Sequence, residues 1–201
     1  MAITKTVSLV QDWTAVAQNA MAESATLDCS LAWAAWVQIQ AFLDAETAHA
    51  AGTSFFVQAR VADADDEDWA TIAGPFSMLL GTANSELIDD NPLAAGATTI
   101  LLSDTTGYTV NNLLRGIEGT VLANSELVRQ KSVTTNTNIT ILDGVKNSHA
   151  NTEYIYSIAD ERLISIPCPA KIVRVVVDNT VVPAGSTLNY KVNGTVVTGS
   201  P

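Results

Sequence analysis

Two stretches of the chain alternate apolar and polar side chains with a period of two. In AWVQIQAFL (35–43), Val37, Ile39, Ala41 and Leu43 fall on one face, and Gln38 and Gln40 on the other. SFFVQARVA (54–62) repeats this with Phe55, Val57, Ala59 and Val61 set against Gln58 and Arg60. Alternation of this kind predicts half-buried antiparallel strands. The segment between them, DAETAHAAGT, carries Gly52 just ahead of the second strand and reads as a longer loop. Toward the C-terminus come a β-branched run at 172–177, a turn at Asp178-Asn179, a break at PAG (183–185), and TLNYKVNGTVV. Asn193-Gly194 predicts a type I′ hairpin turn, because both residues tolerate positive φ, or else sits in a frayed tail. DWTAVAQNAMAES (12–24) is the one helix candidate. Its alanines form no apolar face, so it reads as a loop or a short helical turn.

From about Thr82 to Ala159 the texture changes to short, polar, turn-rich runs, with strands expected at 98–102, 125–133, 138–142 and 153–158. ANSEL occurs there twice, at 83–87 and 123–127, each copy followed downstream by a Thr-Ile-Leu strand (TTILL, then NITIL). Either a low-diversity composition produced the coincidence, or two copies of one small β motif are present.

The fold class expected is all-β: an antiparallel β-sandwich with an inserted small β module. Residues 1–81 and 160–201 supply the sandwich, with about 1–24 as an N-terminal arm, and 82–159 form the insertion. Residues 1–80 offer too few strands for a sandwich alone, and the C-terminal strands make up the number.

Composition narrows the function. Apolar residues make up 47% of the 201 positions and charged residues only 15%, which argues for packed cores under a lightly charged surface. A net charge of −11 with no basic cluster disfavours nucleic acid. No apolar run is long enough to span a membrane, and the N-terminal residues do not read as a signal peptide. Cys29 and Cys168 sit in apolar, strand-like contexts and read as free and buried.

The densest charge cluster, Asp63, Asp65, Asp66, Glu67 and Asp68, precedes Trp69. A calcium loop of the EF-hand type needs glycine at its sixth position and glutamate at its twelfth, where this chain has Asp68 and Gly74. The run therefore reads as a solvated hairpin loop whose charges discourage edge pairing, with no metal bound. His49 and His149 lie in polar, loop-like segments and read as surface residues. Asp89-Asp90 are adjacent, without the separated environments that acid–base work needs. No nucleophile elbow, phosphate loop or dinucleotide fingerprint is present. Catalytic, cofactor-binding and metal residues are accordingly expected to be none. Trp33 and Trp36, three apart in a strand-like segment, should point to opposite faces: either both faces are covered within the same domain, or one ring fills a core and the other meets solvent, the module or another chain.

VRVVVDNTVVPAGSTLNYKV (173–192) resembles the closing segment of small β-rich virion structural proteins of tailed bacteriophages. GATTILLSDTTGYTVNN (96–112) is similar to the opening of small β modules in phage capsid-decoration and tail proteins. Where those have a Val-Gly-Asp turn, this chain has Val110-Asn111-Asn112. The resemblance implies a non-enzymatic virion protein assembled in the host cytoplasm. It implies a capsid decoration (cement) protein that bridges subunits, its partners being the major capsid protein and copies of itself in a homotrimer. The alternative is a tail, baseplate or fibre protein that binds a host glycan through Tyr154 and Tyr156 near Asn151. A hydrolase is the least favoured class.

Overall fold

A computed structural model describes residues 3–44, 52–60, 69–81, 84–167, 170–180 and 186–199. The first six strands are β1 (Thr4–Ala17), β2 (Met21–Glu23), β3 (Leu27–Asp28), β4 (Ala34–Asp44), β5 (Thr53–Arg60) and β6 (Ala70–Met78). Six shorter strands follow: β7 (Ser85–Leu87), β8 (Thr99–Leu101), β9 (Leu114–Ile117), β10 (Glu126–Thr134), β11 (Asn138–Ile141) and β12 (Tyr154–Tyr156). The chain closes with β13 (Ala159–Ile166), β14 (Ile172–Asp178) and β15 (Thr187–Thr198). Among the described residues the helical pieces are two single 3₁₀ turns, Thr106–Tyr108 and Leu122–Asn124.

The early and late strands form two facing sheets, β1-β15-β4-β13 and β2-β14-β5-β6, with β3 also on β14. Every pairing is antiparallel. The alternation in β4 and β5 does what it predicts: Val37, Ile39, Ala41 and Leu43 pack against Phe55, Val57, Ala59 and the valines 173, 175 and 177. Cys29 is buried in this core, and Cys168 lies outside the described residues.

Two local expectations fail. Residues 12–17 are neither loop nor helical turn: β1 pairs with β15 from Thr4 to Ala17, so most of the expected arm is an integral strand. Register shifts between Leu9 and Gln11 and between Gln11 and Thr14 each insert an extra residue and break the period-two signal. Asp12 steadies this irregular stretch, accepting hydrogen bonds from the Trp13 amide (2.9 Å) and the Lys191 ammonium (3.2 Å). Asn193-Gly194 is no turn either. It lies inside β15, a central strand bonded to both β1 and β4. Glycine is needed there for close approach, since a Cβ at 194 would stand 2.5 Å from Leu27 Cδ1.

Between β6 and β13 the chain builds a third sheet, β7-β12-β9-β10-β11-β8. Its two ends meet, because the Asp89 amide just beyond β7 donates to the Leu101 carbonyl in β8 at 3.0 Å. The result is a small barrel with its own core, including Ile88, Ile100, Tyr108, Ile117, Ile139 and Ile155. The ANSEL copies take different places in it: Ser85–Leu87 of the first is β7, whereas the second spans a 3₁₀ turn and opens β10. Their downstream strands, β8 and β11, pair with each other.

The barrel sits on the outer face of the β1-β15-β4-β13 sheet. Phe42 faces away from the sandwich core yet is fully buried, stacked on Tyr156 (centroids 5.7 Å) and tilted against Trp13 (5.2 Å). A Cβ at Gly116 would stand 2.3 Å from Phe42 Cγ, so glycine in β9 is what lets the two bodies come this close.

Candidate assembly surface

The barrel covers only one end of that outer face. Side chains directly opposite one another across a ladder share a face. Two consecutive rows across the free end are therefore Val7–Thr195–Trp36–Ser165 and Leu9–Asn193–Gln38–Leu163. None of these eight residues is charged. Val7, Leu9 and Leu163 are 66%, 53% and 70% exposed, at the two margins of the sheet. Amides link the centre: Asn193 Nδ2 donates to Gln38 Oε1 (3.2 Å), and Gln38 Nε2 to Glu161. Exposed apolar side chains are ordinary when scattered. Here they frame two uncharged rows on a strongly acidic chain, bordered by Glu161 and Lys191 in the next row.

Where that face meets the barrel there is a polar groove of about 470 Å³, lined among others by Gln40, Lys191, Glu126, Lys146 and Asn147. Trp13, buried at the junction, forms part of its wall.

The tryptophans divide differently from expectation. Neither Trp33 nor Trp36 enters the core: Trp33 precedes β4 and is 44% exposed, and Trp36 is half-buried on the outer face. The segment offers one extra outward position because its strand begins only at Ala34. Trp69 lies beneath two guanidinium groups, Arg174 at 4.2 Å and Arg60 at 5.4 Å from its ring.

His149 is not a surface residue. It is fully buried, with Nδ1 2.6 Å from Glu153 Oε2 and Nε2 2.8 Å from Glu126 Oε1. The second ANSEL copy supplies Glu126, which also accepts from the backbone amides of Lys146 and Asn147. Glu153 accepts from the Thr120 amide. Burial acts to lower the imidazole pKa, but the two carboxylates outweigh it and hold His149 above its ordinary value. Burial would likewise raise both carboxyls, and their hydrogen bonds keep both below the ordinary range. The arrangement is an imidazolium clamped between two carboxylates, with no nucleophile bonded to it. It fastens the loop before β12 onto β10.

The pair expected as a sugar platform does not work as one. Tyr154 is 40% exposed, but Tyr156 is buried under Phe42 and donates its hydroxyl to Glu118. Burial, followed by the charges of Glu118 and Asp44, pushes the Tyr156 phenol far above its ordinary value. Asp90 accepts from the Leu101 amide, so it serves the barrel seam. His49 and the acidic run 63–68 lie outside the described residues, although the strands flanking the run, β5 and β6, form an antiparallel pair. Sequence reasoning missed Glu126, Glu153 and Arg115. The only trace of Arg115 was a lone cation inside the apolar run LLRGI.

No protein-family model matches the chain, and no curated protein is similar to it. Among solved structures it is similar to VP17, a capsid protein of bacteriophage P23-77, with a TM-score of 0.22 and 8% identity, over 99% of this chain and 98% of that chain. At that TM-score the likeness carries no argument about fold or role.

Proposed function

We propose that this chain is a non-enzymatic structural protein of a tailed-bacteriophage virion, a capsid decoration protein that strengthens the head by bridging subunits. The observation that carries the reading is the pair of uncharged rows across the four strands of the outer sheet face, edged by the exposed Val7, Leu9 and Leu163. A surface of this kind gains by being covered, and its two rows bring no charge of their own into the contact. The sequence resemblance supplies the neighbours: the major capsid protein and two further copies of this chain. Three-fold positions on a shell favour a homotrimer, although two-fold dimers are commoner among oligomers. The glycan-binding tail reading is weaker because its second aromatic, Tyr156, is covered.

The test is binding of the purified protein to capsids that lack it, followed by counting copies in the intact particle. The expected result is saturable binding at hundreds of copies, lost in the double variant V7D/L163D while its circular dichroism is unchanged. Both positions are exposed and outside any core, so each change should alter stability by no more than about 0.5 kcal/mol. A handful of copies at a tail tip, or undiminished binding by the double variant, would overturn the reading.

A further inference from the structure

Along β10 the side chains of Glu126, Val128 and Gln130 point into the barrel in succession, opposite Ile117, Arg115 and Ile141 of the neighbouring strands. The barrel interior thus has a polar group near each end. At one end Glu126 holds His149. At the other lies Arg115, only 2% exposed, its guanidinium 5.2 Å from the Tyr108 ring centre. Every hydrogen-bond acceptor of Arg115 is neutral: Gln130 Oε1 for Nε (2.8 Å), the Ser157 carbonyl for Nη1 (2.7 Å) and the Val110 carbonyl for Nη2 (3.0 Å). Among the described residues no carboxylate forms an ion pair with it. Glu126, which shares the interior, stands two residues along the ladder from Val128, the residue opposite Arg115, roughly 7 Å at strand rise, and is already bound to His149.

A guanidinium has five N–H groups, and these bonds use three, leaving one on each Nη. A cation this buried costs free energy unless an anion faces it. Arg115 also lines a cavity of about 370 Å³ at the end of the barrel where the chain enters from β6 and leaves for β13. Asn84 and Thr109 line the same cavity, as do the apolar side chains of Leu80, Val110 and Leu113.

We propose that this cavity is a binding site for a carboxylate group, received by the two remaining Nη N–H bonds of Arg115 with Asn84 and Thr109 beside it. Paired donors on one guanidinium match the two oxygens of a carboxylate. Among the described residues Arg115 is the only cation in the lining, and Leu80, Val110, Leu113 and Ile158 are apolar, so a single negative charge suits the site better than a phosphate dianion. The carboxylate can come from a small free acid or from an acidic side chain of a neighbouring subunit.

The test uses the full chain labelled with ¹⁵N, following the Arg115 side-chain resonances during titration with sodium acetate and, separately, with the peptide acetyl-Ala-Glu-Ala-amide. Sodium chloride at equal ionic strength is the reference. The expected result is a saturable shift of Arg115 with at least one carboxylate and none with chloride. Saturation by acetate alone assigns the site to a small acid, and saturation by the peptide assigns it to a partner segment. The variant L80W, altered at the exposed rim, should fold normally and lose the response. In Arg115→Gln the Asn84 side-chain and Thr109 amide resonances, which should shift with carboxylate in the wild type, should no longer do so; if that variant does not fold, L80W alone decides. Absence of a saturable shift with either carboxylate, or an undiminished response in L80W, overturns the proposal.

Discussion

Replacing His149 by glutamine should destabilise the barrel and alter how its stability depends on pH. The wild-type imidazolium is fully buried between Glu126 and Glu153, at 2.8 and 2.6 Å. Removing the cation leaves two carboxylates, 5% and 8% exposed, facing an uncharged amide. Breaking a buried ion pair by deleting one partner costs about 3–5 kcal/mol, a large share of the roughly 5–15 kcal/mol that holds a domain folded. For the wild type the signs run in both directions. His149 has a raised folded pKa, so its contribution is complete below the ordinary 6.5 and is lost as pH rises through the folded value. Glu126 and Glu153 have lowered folded pKa values, so theirs is complete above the ordinary 4.5 and is lost as pH falls through the folded values. The cluster is therefore most stabilising between about pH 4.5 and 6.5, and each group changes stability by up to about 1.4 kcal/mol per pH unit where it titrates. In H149Q the carboxylates gain by protonation, so the deficit should shrink as pH falls toward the ordinary carboxyl value of 4.5. Urea melts of both proteins from pH 4 to 9, read by circular dichroism, measure this. A deficit under about 1 kcal/mol, or one independent of pH, would refute the reasoning.

Gly194→Val should cost about 1–3 kcal/mol, the usual range for overpacking a core, because its Cβ would meet Leu27 at 2.5 Å and Val10 Cγ2 at 2.9 Å; urea midpoints check this, and a neutral change would mean the sheets part easily. Deleting 82–159 and joining the ends through a short linker should leave a soluble β protein by circular dichroism, less stable than the parent because Phe42 and Trp13 lose their cover; an unfolded remnant would show that the sandwich depends on the barrel.

The sandwich was legible because β4 and β5 bury one face only, so a period of two appears directly in the letters. The strands at 98–102, 125–133, 138–142 and 153–158 were also legible to within a few residues, since turn residues bracket short β-branched runs. β1 was hidden by its two bulges, which reset the alternation. Asn193-Gly194 misled because turn propensity is local, whereas the strand there is imposed by neighbours on both sides and by the Leu27 side chain. The His149 clamp could not be read at all: Glu126 is 23 positions from the histidine, and only closure of the barrel brings them together. Nor does any letter distinguish the two rows of the exposed face from the covered end of the same sheet. That distinction depends on where the barrel rests.

The resting place also explains why a guanidinium came to be enclosed. Gly116 and Tyr156 are opposite each other on β9 and β12, and both face Phe42 across the junction. Successive side chains of a strand point to opposite faces, so the residue before Gly116 must point into the barrel if Gly116 is to lie on the sheet. That residue is Arg115. The contact that fixes the barrel to the sandwich therefore also commits a cation to its interior, at the end nearest the linking segments. A structural need alone would be met at less cost by an apolar residue there, as Ile117 meets it two positions later. The opposite end has its charges matched by His149 between two glutamates, whereas at this end no carboxylate among the described residues pairs with Arg115. The asymmetry separates a closed end that holds the fold together from the end where we propose that a carboxylate binds.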